Sequence, residues 1–191
     1  MNLKTAIENR KSVRSFTQEE IPIEDVREMV RLAGYAPSIE NYQPWKFIMI
    51  TNKVLLDNMS NEIIKAIHAF PSRNSKIAEN LRSQAAWYAT FFEDAPVLLA
   101  VITQHHEEYL TKALEVPEGQ LEIIRNYPGI QSVGACVQNF LLAATSMGYG
   151  ACWLSGPMFA REKMEQLLKI DENHKLVTFI AMGKPNGENG F

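Results

Sequence analysis

The chain has 191 residues, 46% of them hydrophobic and 21% charged, with 19 basic and 22 acidic side chains for a net charge of −3. That length suits one domain spanning residues 1–191, although two small domains stay open, and the composition excludes a disordered or fibrous chain. The basic residues form no long stripe, which argues against nucleic acid as a partner; the longest strongly apolar run, Ala95 to Thr103, is about half the ~20 residues a membrane helix needs, so no membrane is expected either.

The opening MNLKTAIENRKSVRS carries charge but no apolar stretch behind it. It does not read as a secretory signal, and the expected location is the cytoplasm. Leu3 to Arg10 reads as a short helix with Leu3, Ala6 and Ile7 on one face. Pro22 suits the first turn of a second helix running to about Gly34, because Ile23, Val26, Met29, Val30 and Ala33 recur at spacings of three and four. Gly34 stops it, and Pro37 prevents its resumption. Trp45 to Thr51 reads as a strand, Asn52 to His68 and Ser72 to Glu93 as helices broken at Pro71, and Pro96 to Thr103 as a central strand covered on both faces. Residues 104–128 are polar and mixed, with a helix around Gln120 to Asn126.

Ile130 to Met147 is the most apolar helix: Val133, Cys136, Val137, Phe140, Leu141, Ala144 and Met147 form one stripe, while Ala135, Leu142 and Ala143 fill the other side. A helix apolar nearly all round is a buried helix. Gly148 and Gly150 end it, Ala151 to Leu154 reads as a short strand, Arg161 to Leu168 as an amphipathic helix and Leu176 to Met182 as a last strand. Helices carry more residues than strands, so the class is α+β. Cys136 and Cys152 stand far apart inside apolar segments with no CxxC pairing, which favours buried thiols over a redox pair or ligands.

Four places carry polar chemistry. Arg10, Lys11, Ser12 and Arg14 put three cations and a hydroxyl within five positions, a set that binds a phosphate through charge-assisted donors or simply complements a helix C-terminus. The connection Ala36-Pro37-Ser38-Ile39-Glu40-Asn41-Tyr42-Gln43-Pro44-Trp45 holds uncharged hydrogen-bonding side chains between two core elements. Planar amides match the edge of a heterocycle, and Ser and Asn also serve ordinary turns. The third place is Trp153-Leu154-Ser155-Gly156-Pro157, where a glycine at a strand end lets backbone amides approach a ligand or makes a tight turn. The fourth is Lys184 in Gly183-Lys184-Pro185, a cation most often found at a surface. Gly148-Tyr149-Gly150 lacks the third glycine of a dinucleotide fingerprint, Pro185 stands where a P-loop needs Ser or Thr, Ser155 has no nucleophile elbow, and the adjacent His105 and His106 suit no metal, so no metal site is expected.

Arg10-Lys11-Ser12-Val13-Arg14-Ser15-Phe16, Ala36-Pro37-Ser38 with Asn41, Gln43, Pro44 and Trp45, the alanine-rich helix ending Gly148-Tyr149-Gly150, and Gly183-Lys184-Pro185 together resemble the FMN-dependent nitroreductase family, from about residue 7 to 185. The resemblance implies a nitroreductase-like fold, a central mostly antiparallel sheet flanked by helices, in an intertwined homodimer with FMN at the interface. Residue by residue it implies Arg10, Lys11 and Ser12 at the phosphate and ribityl end, and Arg14 at the N1/O2 edge of the ring. Pro37, Ser38, Asn41 and Gln43 of the partner copy would lie at the flavin rim, Leu154, Ser155 and Gly156 near N5 and O4, and Lys184 at the phosphate. It further implies NADH or NADPH as donor and ping-pong hydride transfer through flavin N5 to a nitroaromatic, quinone or other small acceptor, with no side chain acting as acid or base.

The apolar helix 130–147 would then pack near the dimer axis, and the unpaired polarity of the 36–45 connection would be met by ligand and partner. Trp87, Tyr88, Phe91 and Phe92 would wall a substrate pocket or, as packing favours, belong to the core. One departure stands out: the chain ends Asn186-Gly187-Glu188-Asn189-Gly190-Phe191, without the arginine such proteins often carry beyond the Gly-x-Pro turn. A specialised relative of dehalogenase or flavin-fragmenting type, and an FMN store or sensor without turnover, are the competing readings.

Overall fold

The computed structural model describes residues 1–104, 113–117 and 119–187. Four strands form one sheet: β1 (Trp45–Ile50), β2 (Val97–Gln104), β3 (Gly150–Leu154) and β4 (His174–Gly183), in the order β1-β2-β4-β3 and antiparallel throughout. Seven helices surround it among the described residues: α1 (Leu3–Asn9), α2 (Ile23–Ala33), α3 (Lys53–Ala69), α4 (Lys76–Thr90), α5 (Gln120–Ile124), α6 (Pro128–Ser146) and α7 (Arg161–Leu167).

The two-residue period of β2 builds the layers. Leu98, Ala100 and Ile102 face a core shared with Leu56, Met59 and Ile63 of α3, Phe92 and Phe179. Val97, Leu99 and Val101 face the opposite core, with Met29 of α2 and Val133, Val137 and Phe140 of α6. Successive side chains of a strand point to opposite faces, so a fully apolar run of this length belongs in a sheet covered on both sides. The result is a three-layer sandwich, with α2 and α6 on one face and α3 and α4 on the other.

Helix ends follow local chemistry. The side chains of Asn2, Asn52 and Ser75 accept from the backbone N–H groups of Thr5, Leu55 and Ala78 at 2.9, 3.0 and 3.2 Å, satisfying donors that the first turn leaves orphaned. Helix α4 therefore starts at Lys76, later than its apolar pattern suggests, and Phe91–Asp94 leaves it as a 3-10 turn. Strand β4 begins two residues before the apolar run, at His174. The paired histidines 105 and 106 lie outside the described residues.

Burial is uneven on two of these helices. On α1, Ala6 alone is buried, while Leu3 is 68% and Ile7 54% exposed, because the helix lies on α6 through its smallest side chain. Conversely α2 and the sheet already cover most of α6, and Ala135 and Leu142 stay half-buried.

Beyond α1 the chain runs along the free edge of the sheet. Ser12 bridges Ala151 in parallel, Val13 N–H donates to the Ala151 carbonyl at 3.1 Å, and Phe16 bridges Pro185. Thr17 N–H donates to Lys184 O at 2.9 Å, and Asn186 N–H to Ser15 O at 3.0 Å. An exposed sheet edge is a row of unpaired backbone groups. This strap occupies part of the β3 edge and pins residues 10–17 in place.

Candidate functional site

The strap gathers Arg10, Lys11, Ser12 and Arg14 beside β3. Arg10 caps α1, its N–H donating to Ala6 O at 3.0 Å, and the backbone there turns extended, which ends the helix before the cations. Val13 points inward and is buried, so its half-buried neighbours Ser12 and Arg14 point the other way. The guanidinium of Arg14 donates to Ser12 O at 3.3 Å and rests over the Tyr88 ring at 5.6 Å. Arginine stacked on an aromatic face keeps its charge while its position is fixed.

Cys152 lies under this segment. Burial pushes its thiol up in pKa, opposed in part by Arg14, the Ser12 hydroxyl and Arg10. Burial alone pushes Cys136 up to about 12. Both cysteines are free and buried, so both stay protonated thiols at neutral pH, in line with their sequence context.

The end of β3 brings a second group to the same corner. Thr178 Oγ1 accepts from Trp153 Nε1 at 2.7 Å and donates to Leu154 O at 2.6 Å, fixing the last residues of the strand. The turn that follows, a 3-10 segment Gly156–Ala160, opens with Met158 N–H donating to Ser155 O at 3.0 Å. Gly156 touches the end of α4 so closely that a Cβ there would lie 2.8 Å from the Cα of Ala89. Leu154, Ser155 and Gly156 thus meet α4 beside Tyr88, the residue under Arg14.

The four aromatic residues of this region divide. Phe91 and Phe92 are core, as packing arguments favour, while Trp87 is 52% and Tyr88 46% exposed, with their rings edge-to-face at 4.8 Å. The signal was helical phase: the buried positions Ala89 and Thr90 turn Trp87 and Tyr88 outward.

Lys184 has a partner in its own chain. Its carbonyl pairs with the strap, but its ammonium lies 4.5 Å from the centre of the Tyr149 ring, and Tyr149 OH donates to Asp25 Oδ2 at 2.5 Å. Burial, with Asp25 next, pushes the Tyr149 phenol up to about 12. Tyr149 was legible in sequence only as the middle of a helix-stopping Gly-Tyr-Gly, because its partner Asp25 comes from α2, far away along the chain.

Pro37, Ser38, Asn41 and Gln43 are elsewhere. They precede β1, the opposite edge strand, and Trp45 pairs with Thr103 at the end of the sheet away from Gly150, which pairs with Gly183. Within one chain, two strands separate this loop from the basic strap. The loop is tight: Glu40, Asn41 and Gln43 take positive φ, Gln43 N–H donates to Ser38 Oγ at 2.9 Å, and Gln43 Nε2 reaches Asn41 Oδ1 at 3.4 Å. Ile39 N–H donates to Ser132 Oγ of α6 at 3.1 Å. Part of the loop's polarity is therefore met internally, because left-handed backbone at three positions folds it back on the Ser38 hydroxyl. Non-glycine residues held at positive φ cost of order 1–3 kcal/mol each and persist where the surroundings or a function demand them. A hollow of about 320 Å³ opens behind this loop, bordered by Ile39, Tyr42, Pro44, Tyr127 and Pro128. No group of metal-ligating side chains occurs among the described residues.

The profile described as the Nitroreductase family matches residues 7–184. A candidate NADH dehydrogenase/NAD(P)H nitroreductase of Archaeoglobus fulgidus is 28% identical over 97% of this chain and 86% of its own. The iodotyrosine deiodinase of Hydra vulgaris is 28% identical over 93% of this chain, which spans 62% of that protein. Among solved structures, a BluB-like flavoprotein of Clostridium difficile superposes with a TM-score of 0.85 at 29% identity, covering 99% of this chain and 92% of the other. A nitroreductase with bound FMN from Bacteroides fragilis superposes at 0.71 and 23% identity, over 99% and 91% of the two chains.

Proposed function

The chain belongs to the nitroreductase family, and from that premise we propose that it is an FMN-dependent oxidoreductase working as a homodimer, taking reducing equivalents from NADH or NADPH and passing them to a nitroaromatic, a quinone or another small acceptor. The observation that carries this reading is the corner where Arg10, Lys11, Ser12 and Arg14 are pinned along β3 beside the 154–156 turn.

The donor set fits the cofactor. Three cations and a hydroxyl on extended backbone match a phosphate and its ribityl chain. Leu154, Ser155 and Gly156 would bring backbone of a strand end to within reach of a planar ring, and the absence of a side chain at Gly156 lets that turn seat directly on the Ala89 backbone of α4. Bound FMN would supply the two-electron chemistry, accepting a hydride and giving it up again. Arg14, braced by Tyr88, would offer a fixed positive charge to the ring edge that gains negative charge on reduction, and a preorganised charge of that kind lowers the energy of the reduced state. No acid or base is required of the protein; its task is positioning and exclusion of water.

The second half of the cradle comes from another copy. Pro37, Ser38, Asn41 and Gln43 stand across the sheet from the strap, and the amides of Asn41 and Gln43 are exposed. Their neutral donors and acceptors suit a flavin rim without adding charge. The exposed Leu3 and Ile7 of α1, beside α6 with its exposed Ile130, supply an apolar face for the partner to cover. Lys184 joins the phosphate set only by leaving the Tyr149 ring.

A second reading, reductive dehalogenation, is favoured by the Hydra deiodinase among the relatives. The test is the purified protein itself: a yellow dimer whose absorbance bleaches on anaerobic addition of NADH or NADPH, then returns with a nitroaromatic or quinone. Arg14→Ala should bleach at least tenfold more slowly while remaining dimeric. Colour that persists with both nicotinamides would reduce the proposal to a flavin carrier, and return of colour only with a haloaromatic, with halide released, would select dehalogenation.

A further inference from the structure

On the far end of the sheet a chain of three polar side chains lies outside every feature used above. Lys46 Nζ lies 2.7 Å from His174 Nε2, and His174 Nδ1 lies 2.7 Å from Asp171 Oδ1. Register explains the meeting. Lys46 of β1 stands opposite Ile102 of β2, which stands opposite Leu176 of β4, so Lys46, Ile102, Leu176 and His174 share one face of the sheet. Lys46 reaches over β2 to the first residue of β4.

The protons follow from the partners. A carboxylate only accepts, so His174 Nδ1 carries hydrogen and donates to Asp171; Nε2 then offers a lone pair to the ammonium of Lys46. Asp171 is the ionised partner, since the His174 hydrogen bond holds its carboxyl below the usual range. The His174 side chain is only 10% exposed, held between its two partners, whereas Lys46 is open to solvent. A nucleophile within hydrogen-bond reach of a base, itself oriented by a third group, is the arrangement that activates side chains for covalent chemistry.

We propose that Lys46 is a nucleophilic lysine, with His174 as its base and Asp171 as the orienting carboxylate, and that it takes an acyl group from an uncharged activated donor such as an aryl ester or a thioester. One proton passes from Nζ to His174 Nε2. The freed lone pair bonds the acyl carbon as the bond from that carbon to the leaving oxygen or sulfur breaks with its electron pair. Of the two protons that Nζ loses, one ends on the leaving group and one goes through His174 to water, leaving an uncharged amide on Lys46. Local charge selects the donor. The hollow of about 350 Å³ beside His174 is bordered by Glu162, Glu165, Asp171 and Glu172 against Arg161 and Lys175, and Arg161 is engaged by Glu165 at 3.2 Å. An acyl phosphate, doubly anionic, is repelled there.

The experiment treats the purified full chain with p-nitrophenyl acetate and follows acetylation of each lysine by peptide mass spectrometry. Lys46 should acetylate on the order of 10²-fold faster than the exposed Lys53 and Lys65, the scale of general-base assistance. His174→Gln should bring Lys46 down to their rate, and Asp171→Asn should slow it in part, with unchanged melting temperatures showing that the fold persists. Acetyl phosphate should show no preference for Lys46. Labelling of Lys46 no faster than Lys53, or equally fast in folded His174→Gln, overturns the proposal; a preference under acetyl phosphate as strong as under the ester overturns the donor class.

Discussion

Tyr149 shows how one side chain ties distant segments together. Its ring carries the ammonium of Lys184, its hydroxyl donates to Asp25 of α2, and its place after the left-handed Gly148 sets it against both. A hydrogen bond to a charged partner contributes about 1.5–3 kcal/mol, so Tyr149→Phe should lower stability by roughly 2 kcal/mol near neutrality. The pH dependence has a definite sign. The folded-state pKa, pushed up to about 12, exceeds the ordinary value near 10, so the contribution is complete below pH 10 and lost as pH rises from there through 12. Urea midpoints should therefore separate the two proteins by a constant amount up to about pH 10 and converge above it. A gap that widens with alkali would refute the assignment. Cys136 adds its own alkaline loss in both proteins and cancels in the comparison. None of this was legible in sequence, where Tyr149 lay between two helix-ending glycines; Arg10 to Arg14, by contrast, stood out because like charges so near one another call for a counter-charge or solvent.

Among elements, β3, the 154–156 turn and the end of α4 form the joint on which the candidate site depends. Gly156 sits where a Cβ would press on the Ala89 backbone, which cannot swing aside as a side chain can. Gly156→Ala should cost about 1–3 kcal/mol by overpacking and shift Tyr88 from beneath Arg14. A drop in melting temperature accompanied by weaker flavin retention is expected; unchanged retention in a folded variant would detach this joint from the site. The elements themselves were largely readable. The apolar character and length of the run Pro96 to Thr103, the spacing of three and four from Ile23 to Ala33, and punctuation by Pro71, Gly148 and Gly150 placed strands and helices close to where they stand. Boundaries moved where a cap decided them, as at Ser75, and the exposure of Leu3 and Ile7 on α1 was not legible, because three apolar positions on one face say nothing about whether a neighbour within the same chain covers them.

At the scale of the molecule, the strap and the 37–43 loop occupy opposite edges of one sheet, so the proposed cradle is complete only across two copies. That arrangement makes a complementation test. One chain carries Arg10→Ala and Lys11→Ala, the other Asn41→Ala and Gln43→Ala; each alone should bind little FMN. Co-refolded heterodimers contain one site built wholly from intact halves, and should recover flavin at about half the wild-type content. No recovery in verified heterodimers would place both halves in the same copy.

The strap also sets an order of assembly. Ser12 and Phe16 are synthesised long before their backbone partners, Ala151 and Pro185, which lie far downstream in the chain. Contacts between such remote positions close late, after the loop-closure entropy has been overcome elsewhere. During synthesis residues 10–17 wait for these partners to emerge, and a chain cut short before Lys184 would keep the contacts of Ser12 and Val13 with Ala151 while losing those that hold Ser15, Phe16 and Thr17.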